Sequence, residues 1–511
     1  MEFDFNFAQP QMQPETTEQQ DAPMRILVLG DFSGRENRGI LDAAGLSERP
    51  ILLIDVDNLD SRMFQFAPRL HLPLGDPSGP GVAVGFKSLE DFHPDELFHN
   101  VEIFQALRDK RKRLADPATF AEAAAELKAA AATQPETKQQ QPEAKPEEPE
   151  GEDDMDTLSR LLGGTPSSSP SPGVSGGASG TDISKFINRV VAPHVIPDQD
   201  PQQQQFLESV DQAISEQMRA VLRLPAFQRM EAAWRSINWL IDNLETSEEL
   251  QVHVMDVSRP ELAEDLRNAG GDLERSGLYK AIVEKGIKSS GGQPWSLLVG
   301  DYSFGLDPED AKLLALMGAI GFKAGGPFLA QAKSEIVGCE SLAKQPDPHD
   351  WTEPDEQGAQ AWRALRKSGF AAWVGLAAPR VLLRLPYGEK TDEIERFEFE
   401  ESPDREHDAY LWGNPAYFCA GLIGAAFERS GWAMQPGDVS EVGDLPSHTF
   451  QEDGEFAQQA CGEVYLSDRA GEAIMAQGLM PILSNRGRNS VKIMRFHSLT
   501  EPPSGLSGNW R

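Results

Sequence analysis

Arg25-Ile26-Leu27-Val28-Leu29-Gly30-Asp31 is the stretch of sequence that decides the fold class of this chain. Four apolar residues stand in a row between a polar N-terminal tail and a Gly-Asp pair, which predicts a buried β-strand that ends in a turn. Residues 51–56 predict a second strand, and residues 81–86 alternate apolar and small residues as a third strand would. Strands therefore dominate the start of the chain.

A helix follows these strands in the sequence. Residues 88–97 combine a proline with acidic residues, a composition that suits a first helical turn, and a charged helix is expected to continue through Arg113. We predict a small α/β domain over residues 24–128, preceded by a disordered tail at residues 1–23.

The composition then changes over residues 129–182. This segment is rich in Ala, Gln, Glu and Pro and later in Ser and Gly, with few large apolar side chains to offset the entropy of ordering. We predict a long disordered, low-complexity linker. Within it, residues 155–162 could form a short amphipathic turn, which would be either a docking element or transient helix in a disordered tether.

A second α/β domain is predicted over residues 183–511. Two apolar stripes at helical spacing, separated by Pro225, predict consecutive amphipathic helices; the stripes are Phe206, Val210, Ile214, Met218 and Val221, then Phe227, Met230, Trp234, Ile237 and Ile241. Strand and helix signals alternate after them: strands at residues 250–257 and 294–301, helix starts at 258–261 and 307–310, and later apolar elements at 362–366, 381–388 and 416–427.

Charge and targeting signals exclude several classes of protein. The 511 residues carry a formal net charge of −34, which repels phosphate backbones, so we expect no nucleic-acid partner. The N-terminus lacks the pattern of a secretory signal, and no apolar run is long enough for a membrane span, so a cytoplasmic protein is expected. Cys339, Cys419 and Cys461 are far apart, which predicts reduced, packed thiols.

The search for catalytic or ligand-binding residues yields weak signals. The turn Gly30-Asp31-Phe32-Ser33-Gly34 follows a strand and suggests phosphate binding, but it matches neither nucleotide-binding glycine pattern. Gly291-Gly292 is typical of a loop, His194 of a loop or core histidine, and the acidic run 398–401 of solvated surface or an electrostatic contact. We therefore predict no catalytic, cofactor-binding or metal-binding residues, and no cofactor.

The tryptophans of the second region are expected to lie mostly in the core. A minority could anchor subunit contacts, because aromatic residues contribute strongly at interface centres. The residues concerned are Trp234, Trp239, Trp295, Trp362, Trp373 and Trp412.

Two sets of motifs resemble the contractile sheath family of bacterial type VI secretion systems. Residues 24 to about 115 resemble the small sheath subunit through linked motifs at residues 25–34, 54–58, 67–70 and 86–94. Residues from about 183 to 500 resemble the large sheath subunit more strongly, through motifs at 225–228, 231–235, 276–280, 292–295, 300–302, 379–380, 384–388, 410–414 and 445–449. The chain thus looks like a fusion of the two subunits, with two α/β domains of contractile-sheath type.

The resemblance implies a structural role. In that family the two subunits polymerise into a tubular sheath around an inner tube, and contraction of the sheath drives the tube outward. The implied partners are sheath subunits, either copies of this chain or paralogues, the inner tube protein, baseplate components and a recycling ATPase of the chaperone class. No catalytic residue carries over from the family.

Two departures from the family pattern motivate an alternative. Large sheath subunits usually continue beyond the segment that here follows residues 497–500, through strands exchanged with neighbours, and the usual helical half of the small subunit is replaced by the linker. Without exchanged strands a sheath-like adaptor or cap at the baseplate or sheath end is the alternative. The alternative from another class is a nucleotide-binding α/β enzyme that uses the turn at residues 30–34.

Overall fold

The computed structural model describes residues 22–73, 81–132, 187, 191, 203–289, 292–402, 406–452 and 455–510. These residues fall into two compact units. The first contains the chain up to Phe104 and from Ile214 onwards, and the second contains Gln105–Ala213. Within the described residues, no helix combines the length and the apolar character that a membrane crossing requires. The predicted turn at residues 155–162 lies outside the described residues.

The elements are numbered in chain order. The strands are β1 Met24–Gly30, β2 Ile51–Ile54, β3 Arg69–Leu72, β4 Val82–Gly85, β5 Leu250–Asp256, β6 Leu297–Phe304, β7 Phe328–Ala332, β8 Val374–Ala378, β9 Val381–Arg384, β10 Leu411–Gly413, β11 Glu441–Val442, β12 Thr449–Glu452, β13 Glu455–Gln458, β14 Met480–Ser484 and β15 Val491–Ile493. The helices are α1 Leu59–Phe66, α2 Pro94–Asn100, α3 Glu102–Ala115, α4 Phe120–Ala132, α5 Gln203–Leu222, α6 Pro225–Asp242, α7 Arg259–Asn268, α8 Gly277–Tyr279 (continued by a π-helical turn, Lys280–Lys285), α9 Pro308–Ala324, α10 Glu356–Arg366, α11 Pro415–Ser430 and α12 Asp468–Ala476.

A nine-stranded sheet forms the centre of the first unit, in the order β11-β15-β14-β8-β7-β6-β1-β5-β2. The six adjacent strands β14, β8, β7, β6, β1 and β5 run parallel to one another. Strand β2 runs antiparallel to β5, and β15 runs antiparallel to β14. Three two-stranded ladders, β3 with β4, β9 with β10 and β12 with β13, complete the described strands. The arrangement is a mixed α/β fold, as the sequence predicts.

Helices cover both faces of this sheet, which is the usual requirement of a parallel sheet. On one face, α7, α9 and α10 pack over a large apolar cluster that includes Leu27 and Leu29 of β1. On the other face, α11 packs against β6, β7 and β8, and α6 packs against α11. Residues 26–29 are fully buried, because each face of β1 is covered.

The two predicted α/β regions share this one sheet. Strands β1 and β2 come from the first region, and their neighbour β5 comes from the second. A strand that is apolar on both faces gains most when it lies between two other strands, and β1 takes such a position. The predicted boundaries of the tail, the two domains and the linker stay predictions.

The second unit is a small helical assembly of its own. Lys110 and Arg113 of α3 both contact the carboxylate of Glu126 on α4, and Phe120 packs edge-on against Phe206 of α5 with 5.8 Å between ring centroids. Paired cations lower the pKa of Glu126 to about 2 through their hydrogen bonds. The charged Glu126 side chain therefore helps to hold α4 against α3.

Candidate functional site

The candidate site is the junction between residues 22–104 and residues 214–510 of the first unit, which for brevity we call the junction. Its backbone is strand β1. Met24–Gly30 pairs in register with Leu250–Asp256 on one side, and residues 26–29 pair with residues 297–300 on the other. The amino-terminal region thus supplies a central strand of the sheet and does not merely lie against its surface.

Asp256, the last residue of β5, holds the turn that follows β1. Its Oδ1 atom accepts hydrogen bonds from the backbone N–H groups of Phe32 and Ser33 at 2.8 and 3.1 Å, and its Oδ2 atom accepts one from the Ser33 hydroxyl at 2.7 Å. Burial raises the pKa of Asp256 to about 6, although the Ser33 hydrogen bonds oppose that shift. The carboxylate thus occupies the donors of this turn.

This arrangement bears directly on the nucleotide-binding alternative. The Arg35 and Glu36 N–H groups donate to the Asp31 carboxylate, so that side chain also occupies donors of the turn. Gly34 has a φ of +76°, and a Cβ atom there would stand 2.4 Å from the Arg69 carbonyl oxygen. The glycine therefore serves a tight turn packed against the chain, and two carboxylates already accept the backbone N–H groups that a phosphate at this turn would use.

Glu261 of α7 binds two arginines of the amino-terminal region, and we call these three residues the Glu261 cluster. Arg35 donates to the Glu261 carboxylate through Nε and Nη2 at 2.8–3.0 Å, and Arg49 donates through Nη1 and Nη2 at 3.0–3.1 Å. The Asp42 and Ser258 N–H groups donate to the same carboxylate. Burial alone raises the pKa of Glu261, but these hydrogen bonds outweigh it and hold the pKa at about 2.

The predicted helix start at Ser258 explains how Glu261 is placed. Ser258 and Glu261 form the capping box that the sequence spacing indicates, with the Ser258 side chain accepting from the Glu261 N–H group. The Glu261 side chain is fully buried. The same side chain therefore caps α7 and binds the amino-terminal region.

Aromatic side chains fill the space beside these charges. Phe32 packs edge-on against Trp234 of α6 with 5.6 Å between ring centroids, and Trp234 donates its indole N–H to the Phe32 carbonyl oxygen at 3.0 Å. A second group stacks Phe86 on Phe92 at 4.2 Å and sets Phe227 against both rings. Aromatic contacts of this kind stabilise beyond their buried area.

A further contact joins α2 to the segment after β9. The Asp95 carboxylate accepts hydrogen bonds from the Glu395 and Arg396 N–H groups at 3.1 and 3.0 Å, and Arg396 pairs with Glu96 at 3.0 Å. Close by, His93 packs edge-on against Tyr387. These backbone hydrogen bonds hold residues 395 and 396 in a fixed position against α2.

Tyr387 lies beside a second buried ionic group, and its backbone N–H donates to Glu401 of that group at 2.8 Å. We call the group, Glu231, Arg384 and Glu401, the Arg384 cluster. Arg384 binds Glu231 through Nε and Nη2 at 2.7 and 3.1 Å and binds Glu401 through Nη1 at 2.8 Å, with both carboxylates fully buried. Arg235 also binds Glu231. Burial alone raises the pKa of Glu231, but the two arginines outweigh it and lower the pKa; at Glu401 burial prevails and raises the pKa.

The other residues noted in the sequence have structural roles if they lie within the described residues. Cys339, Cys419 and Cys461 are free and buried, as predicted, and burial raises the pKa of Cys339 to about 11 and that of Cys419 to about 12. Five of the six tryptophans are buried, as predicted; they are Trp234, Trp295, Trp362, Trp373 and Trp412, and Trp239 is partly exposed. His194 and Gly291 lie outside the described residues.

For the acidic run at residues 398–401 the sequence predicts either solvated surface or an electrostatic contact, and Glu401 makes an electrostatic contact. Solvated surface is wrong for this side chain, which is fully buried, and the electrostatic contact is with Arg384. Among the described residues, no group of His, Cys, Asp and Glu is arranged to hold a metal ion. The expectation that no residue has a catalytic or cofactor-binding role stays a prediction.

The family motifs noted in the sequence meet at the junction. Residues 25–34 and 86–94 contact residues 227–235 through the aromatic groups, and residues 384–388 contact both His93 and Glu231. Sequence reasoning misses Asp256 and Glu261 as partners of the amino-terminal region, because their positions in the sequence indicate only a strand end and a helix cap.

Two family descriptions and one relative match this chain. Residues 204–500 match the family described as EvpB/VC_A0108, tail sheath N-terminal domain, and residues 10–139 match the family described as Type VI secretion system, VipA, VC_A0107 or Hcp2. The chain is also similar to the Type VI secretion system sheath protein TssC1 of Pseudomonas aeruginosa strain PAO1, with 34% identity over 307 residues. That alignment covers 58% of this chain and 61% of the relative. Since the tail sheath match spans more than half of its residues, the chain belongs to the type VI secretion tail sheath family, with a segment of the small-subunit type in the same polypeptide.

Proposed function

We propose that this chain is a structural component of a type VI secretion contractile sheath. Residues 22–104, the small-type segment, and residues 214–510, the large-type segment, act in it as one covalent subunit. The observation that carries the proposal is the central position of β1. A strand of the small-type segment pairs with β5 and β6 of the large-type segment, so the two segments share a core. A fused subunit delivers both segments in equal number at every position of an assembly.

The ionic contacts support the same proposal. Arg35 and Arg49 of the small-type segment bind a carboxylate that is fully buried in the large-type segment. In an isolated large-type segment that kept this structure, the carboxylate would stay buried without its two cations, at a cost of several kcal/mol, on the order of the penalty for a buried unpaired ion. The two segments are therefore expected to fold and assemble together.

The proposed partners follow from family membership. They are other sheath subunits, the inner tube protein, baseplate components and a chaperone-class ATPase that recycles contracted sheath. The proposed location is the cytoplasm, and the proposed role involves no catalysis by this chain. Contraction of the assembled sheath would power effector delivery.

Electron microscopy of the purified full chain, alone and mixed with the sheath and tube proteins of its own secretion cluster, tests the proposal. The expected result is tubes that carry an N-terminal affinity tag of this chain along their whole length. Immunogold labelling of the tag gives the distribution, and a preparation that lacks this chain is the control. Labelling confined to tube ends would contradict the sheath role and indicate the adaptor or cap; discrete particles without tubes would contradict both.

A further inference from the structure

A cavity of about 330 Å³ opens on the face of the sheet that α6 and α11 cover, and we call it the β6 cavity. Its walls come from the first turns of α6, the carboxyl ends of β6 and β7, Arg380 after β8 and residues 408–414 around β10. All of these residues belong to the first unit. Cavities that bind small molecules usually have volumes of about 300–1,000 Å³.

The β6 cavity lies beside the point where the order of the strands reverses. The chain runs from β1 to β2 on one side and from β6 to β7 on the other, although β1 and β6 are neighbours. In open parallel sheets, ligands bind outside the carboxyl ends of the strands at such a point. Asp301 of β6 lies there, because a Cβ atom at Gly30, the last residue of β1, would stand 2.9 Å from the Asp301 Cβ atom.

Strand β6 directs Asp301 and Ser303 into the cavity. The residues that alternate with them, Tyr302 and Phe304, belong to the apolar cluster on the opposite face. In this stretch β6 advances by four residues while its partner β7 advances by two. Strand irregularities of this kind are frequent beside binding sites, where they redirect a side chain.

The Asp301 carboxyl lacks a counter-charge. The side chain is mostly buried, and burial raises its pKa to about 7, although a hydrogen bond from the Asn414 side chain opposes that rise. The charge of Asp31 adds to the rise, and that of Arg229 acts against it. Among the described residues, no cation forms an ion pair with Asp301. Buried carboxylates are usually paired, so this one has an unmet requirement for a cation.

The arginines near the cavity do not meet this requirement. Arg380 is held by Glu463, whose carboxylate accepts from the Arg380 Nε atom at 2.9 Å. Arg229 is exposed on α6, so water and salt screen its charge. Arg223, two residues before α6, pairs with Glu406. None of these cations binds the buried carboxyl directly.

The surroundings of the β6 cavity are negative when every carboxylate is ionised, because five carboxylates face three arginines. The carboxylates are Asp31, Asp301, Glu406, Asp408 and Glu463, and the arginines are Arg223, Arg229 and Arg380. Two histidines lie close by: His407 stands 3.7 Å from Glu463, and His448 bonds to the Tyr410 hydroxyl. The balance of charge therefore favours a cation as the occupant.

The amino end of α11 also reaches the cavity wall, at Asn414. Helix amino ends attract anions through their N–H groups. Here Pro415 has no such group, and Asn414 accepts the N–H groups of Ala416 and Tyr417 at 2.9 and 3.3 Å. These donors are occupied, so an anion would have to displace them.

Aromatic and polar side chains of the cavity suit a planar cation. Tyr410 and Trp412 line it, and a guanidinium group stacks on such rings more readily than an ammonium group does. Ser303 and Gln331, which are partners in register on β6 and β7, supply oxygen acceptors on the same face as Asp301. The five N–H donors of a guanidinium group match a carboxylate with neighbouring acceptors.

We propose that the β6 cavity binds a guanidinium group, which pairs with the Asp301 carboxylate and packs on Tyr410 and Trp412. The inference goes beyond the proposed sheath role and does not rest on it. Free arginine and the arginine side chain of a partner protein present the same chemical group. The experiment therefore includes a probe for each source.

Isothermal titration calorimetry of the purified full chain measures the binding of three probes. L-arginine represents the free molecule, and N-acetyl-L-arginine amide represents the side chain within a protein. L-citrulline is the matched control, because a neutral urea group of nearly the same shape replaces the guanidinium group. We expect at least one guanidinium probe to bind at least about 10-fold more tightly than citrulline, which cannot form the charged pair.

Asp301→Asn removes the counter-charge at nearly constant shape. We expect this variant to bind the guanidinium probes at least about 10-fold more weakly than the wild type, with citrulline binding unchanged. The matched control is Asp350→Asn, which neutralises an exposed acid elsewhere and should bind as the wild type does. Circular dichroism and urea denaturation establish that both variants are folded.

The pH dependence of binding tests the site without a substitution. A cation binds the ionised form of Asp301, so binding should strengthen as the pH rises through about 7, by about 10-fold between pH of about 6 and about 8. Asp256, His407 and His448 are nearby groups that can also titrate in this range. The variants Asp256→Asn, His407→Gln and His448→Gln should therefore keep the dependence.

The two guanidinium probes identify the source of the group. Binding of N-acetyl-L-arginine amide at least as tight as that of arginine supports a partner's side chain, and binding of arginine alone supports a free molecule. The guanidinium site is overturned by no binding of either probe up to about 10 mM, by equal binding of citrulline, by full binding to Asp301→Asn, or by binding that is independent of pH. None of these results affects the sheath role, which electron microscopy tests separately.

Discussion

The Glu261 cluster and the Arg384 cluster have inverse compositions: one glutamate is bound by two arginines in the first, and one arginine is bound by two glutamates in the second. Both are buried, and both depend on charge pairing to compensate for lost hydration. Their sequence separations differ. The Arg384 cluster joins residues 231 to 401 of the large-type segment, whereas the Glu261 cluster reaches back to Arg35 and Arg49 in the small-type segment.

This difference assigns the clusters separate roles. The Arg384 cluster stabilises the large-type segment itself, because all of its members belong to it. The Glu261 cluster stabilises the junction, because its carboxylate is paired only when the small-type segment is in place. A buried charge that lacks its partner is strongly unfavourable, so the Glu261 cluster couples the folding of the two segments.

The largest effect is expected for Arg384→Met. The substitution leaves Glu231 with Arg235 alone and leaves Glu401 without its arginine, in a site where burial already raises the pKa of Glu401. We expect the free energy of unfolding to fall by about 5 kcal/mol. Urea denaturation followed by tryptophan fluorescence measures the change.

The control for this variant is Lys344→Met, which removes an exposed ion pair with Glu340. Exposed pairs contribute at most about 1 kcal/mol, so the control should remain close to the wild type. A loss of less than about 1 kcal/mol for Arg384→Met would show that the cluster is not desolvated as its geometry indicates.

A smaller effect is expected when Arg35 and Arg49 are both replaced by Met. Glu261 then keeps its hydrogen bonds from the Ser258 and Asp42 N–H groups but loses both cations, and we expect a loss of about 3 kcal/mol. Each single variant leaves one arginine in place and should cost about 1 kcal/mol, so the double variant exceeds the sum of the singles. Urea denaturation of all three variants measures this excess.

The location of the damage distinguishes this prediction from general destabilisation. Hydrogen exchange should accelerate in β1 and in the turn at residues 31–36 before it accelerates in β14 and β15. Lys285→Met, which removes an exposed ion pair with Glu48, is the control. Additive single effects, or uniform acceleration across the sheet, would contradict the assignment of the Glu261 cluster to the junction.

The strands and helices around both clusters could be predicted from local patterns. The continuous apolar run in β1, the stripes of α5 and α6, and the capping box of α7 each follow from residues close in sequence. The pairing of β1 with β5 could not be predicted this way, because it joins residues 226 positions apart at Met24 and Leu250. Register between distant strands depends on tertiary packing, which period and propensity do not encode.

The buried charges mark the other limit of sequence reasoning. Glu231 lies in a helix and Glu401 in an acidic run, positions that indicate solvated side chains. Both carboxylates are buried because Arg384 of β9 pairs with them. No residue close to either glutamate in the sequence indicates that Arg384 is its partner. Family motifs did include Glu231 and Arg384, so the resemblance pointed to these residues without giving their partnership.

The junction also predicts a dependence of stability on pH. Burial raises the pKa of Asp256 to about 6, above its ordinary value of 3.8, so the folded chain binds this proton more tightly than the unfolded chain. The contribution of Asp256 to stability is therefore present at low pH and is lost as the pH rises through about 6. Between pH of about 5.5 and about 7.5 we expect a loss of about 1 kcal/mol relative to Asp256→Asn.

Urea denaturation of wild type and Asp256→Asn at both pH values measures this difference of differences. Asp301→Asn serves as a matched variant, since burial raises the pKa of Asp301 to about 7 and the same loss should appear at higher pH. An identical pH dependence in wild type and Asp256→Asn would contradict the prediction, because the buried carboxyl would then titrate as it does in the unfolded chain.

The smallest effect is expected for Arg396→Met, and it isolates burial from charge. Arg396 and Glu96 join the two segments as the Glu261 cluster does, and at the same 3.0 Å distance, but their side chains are 40% and 34% exposed. Water and salt screen such a pair, so we expect urea denaturation to detect a loss of no more than about 0.5 kcal/mol, vanishing at high salt. A loss as large as that of the Arg35 and Arg49 double variant would mean that ion pairs stabilise the junction wherever they lie. The expected small loss would mean that a charged side chain stabilises the junction only where its removal leaves a buried partner without a counter-charge.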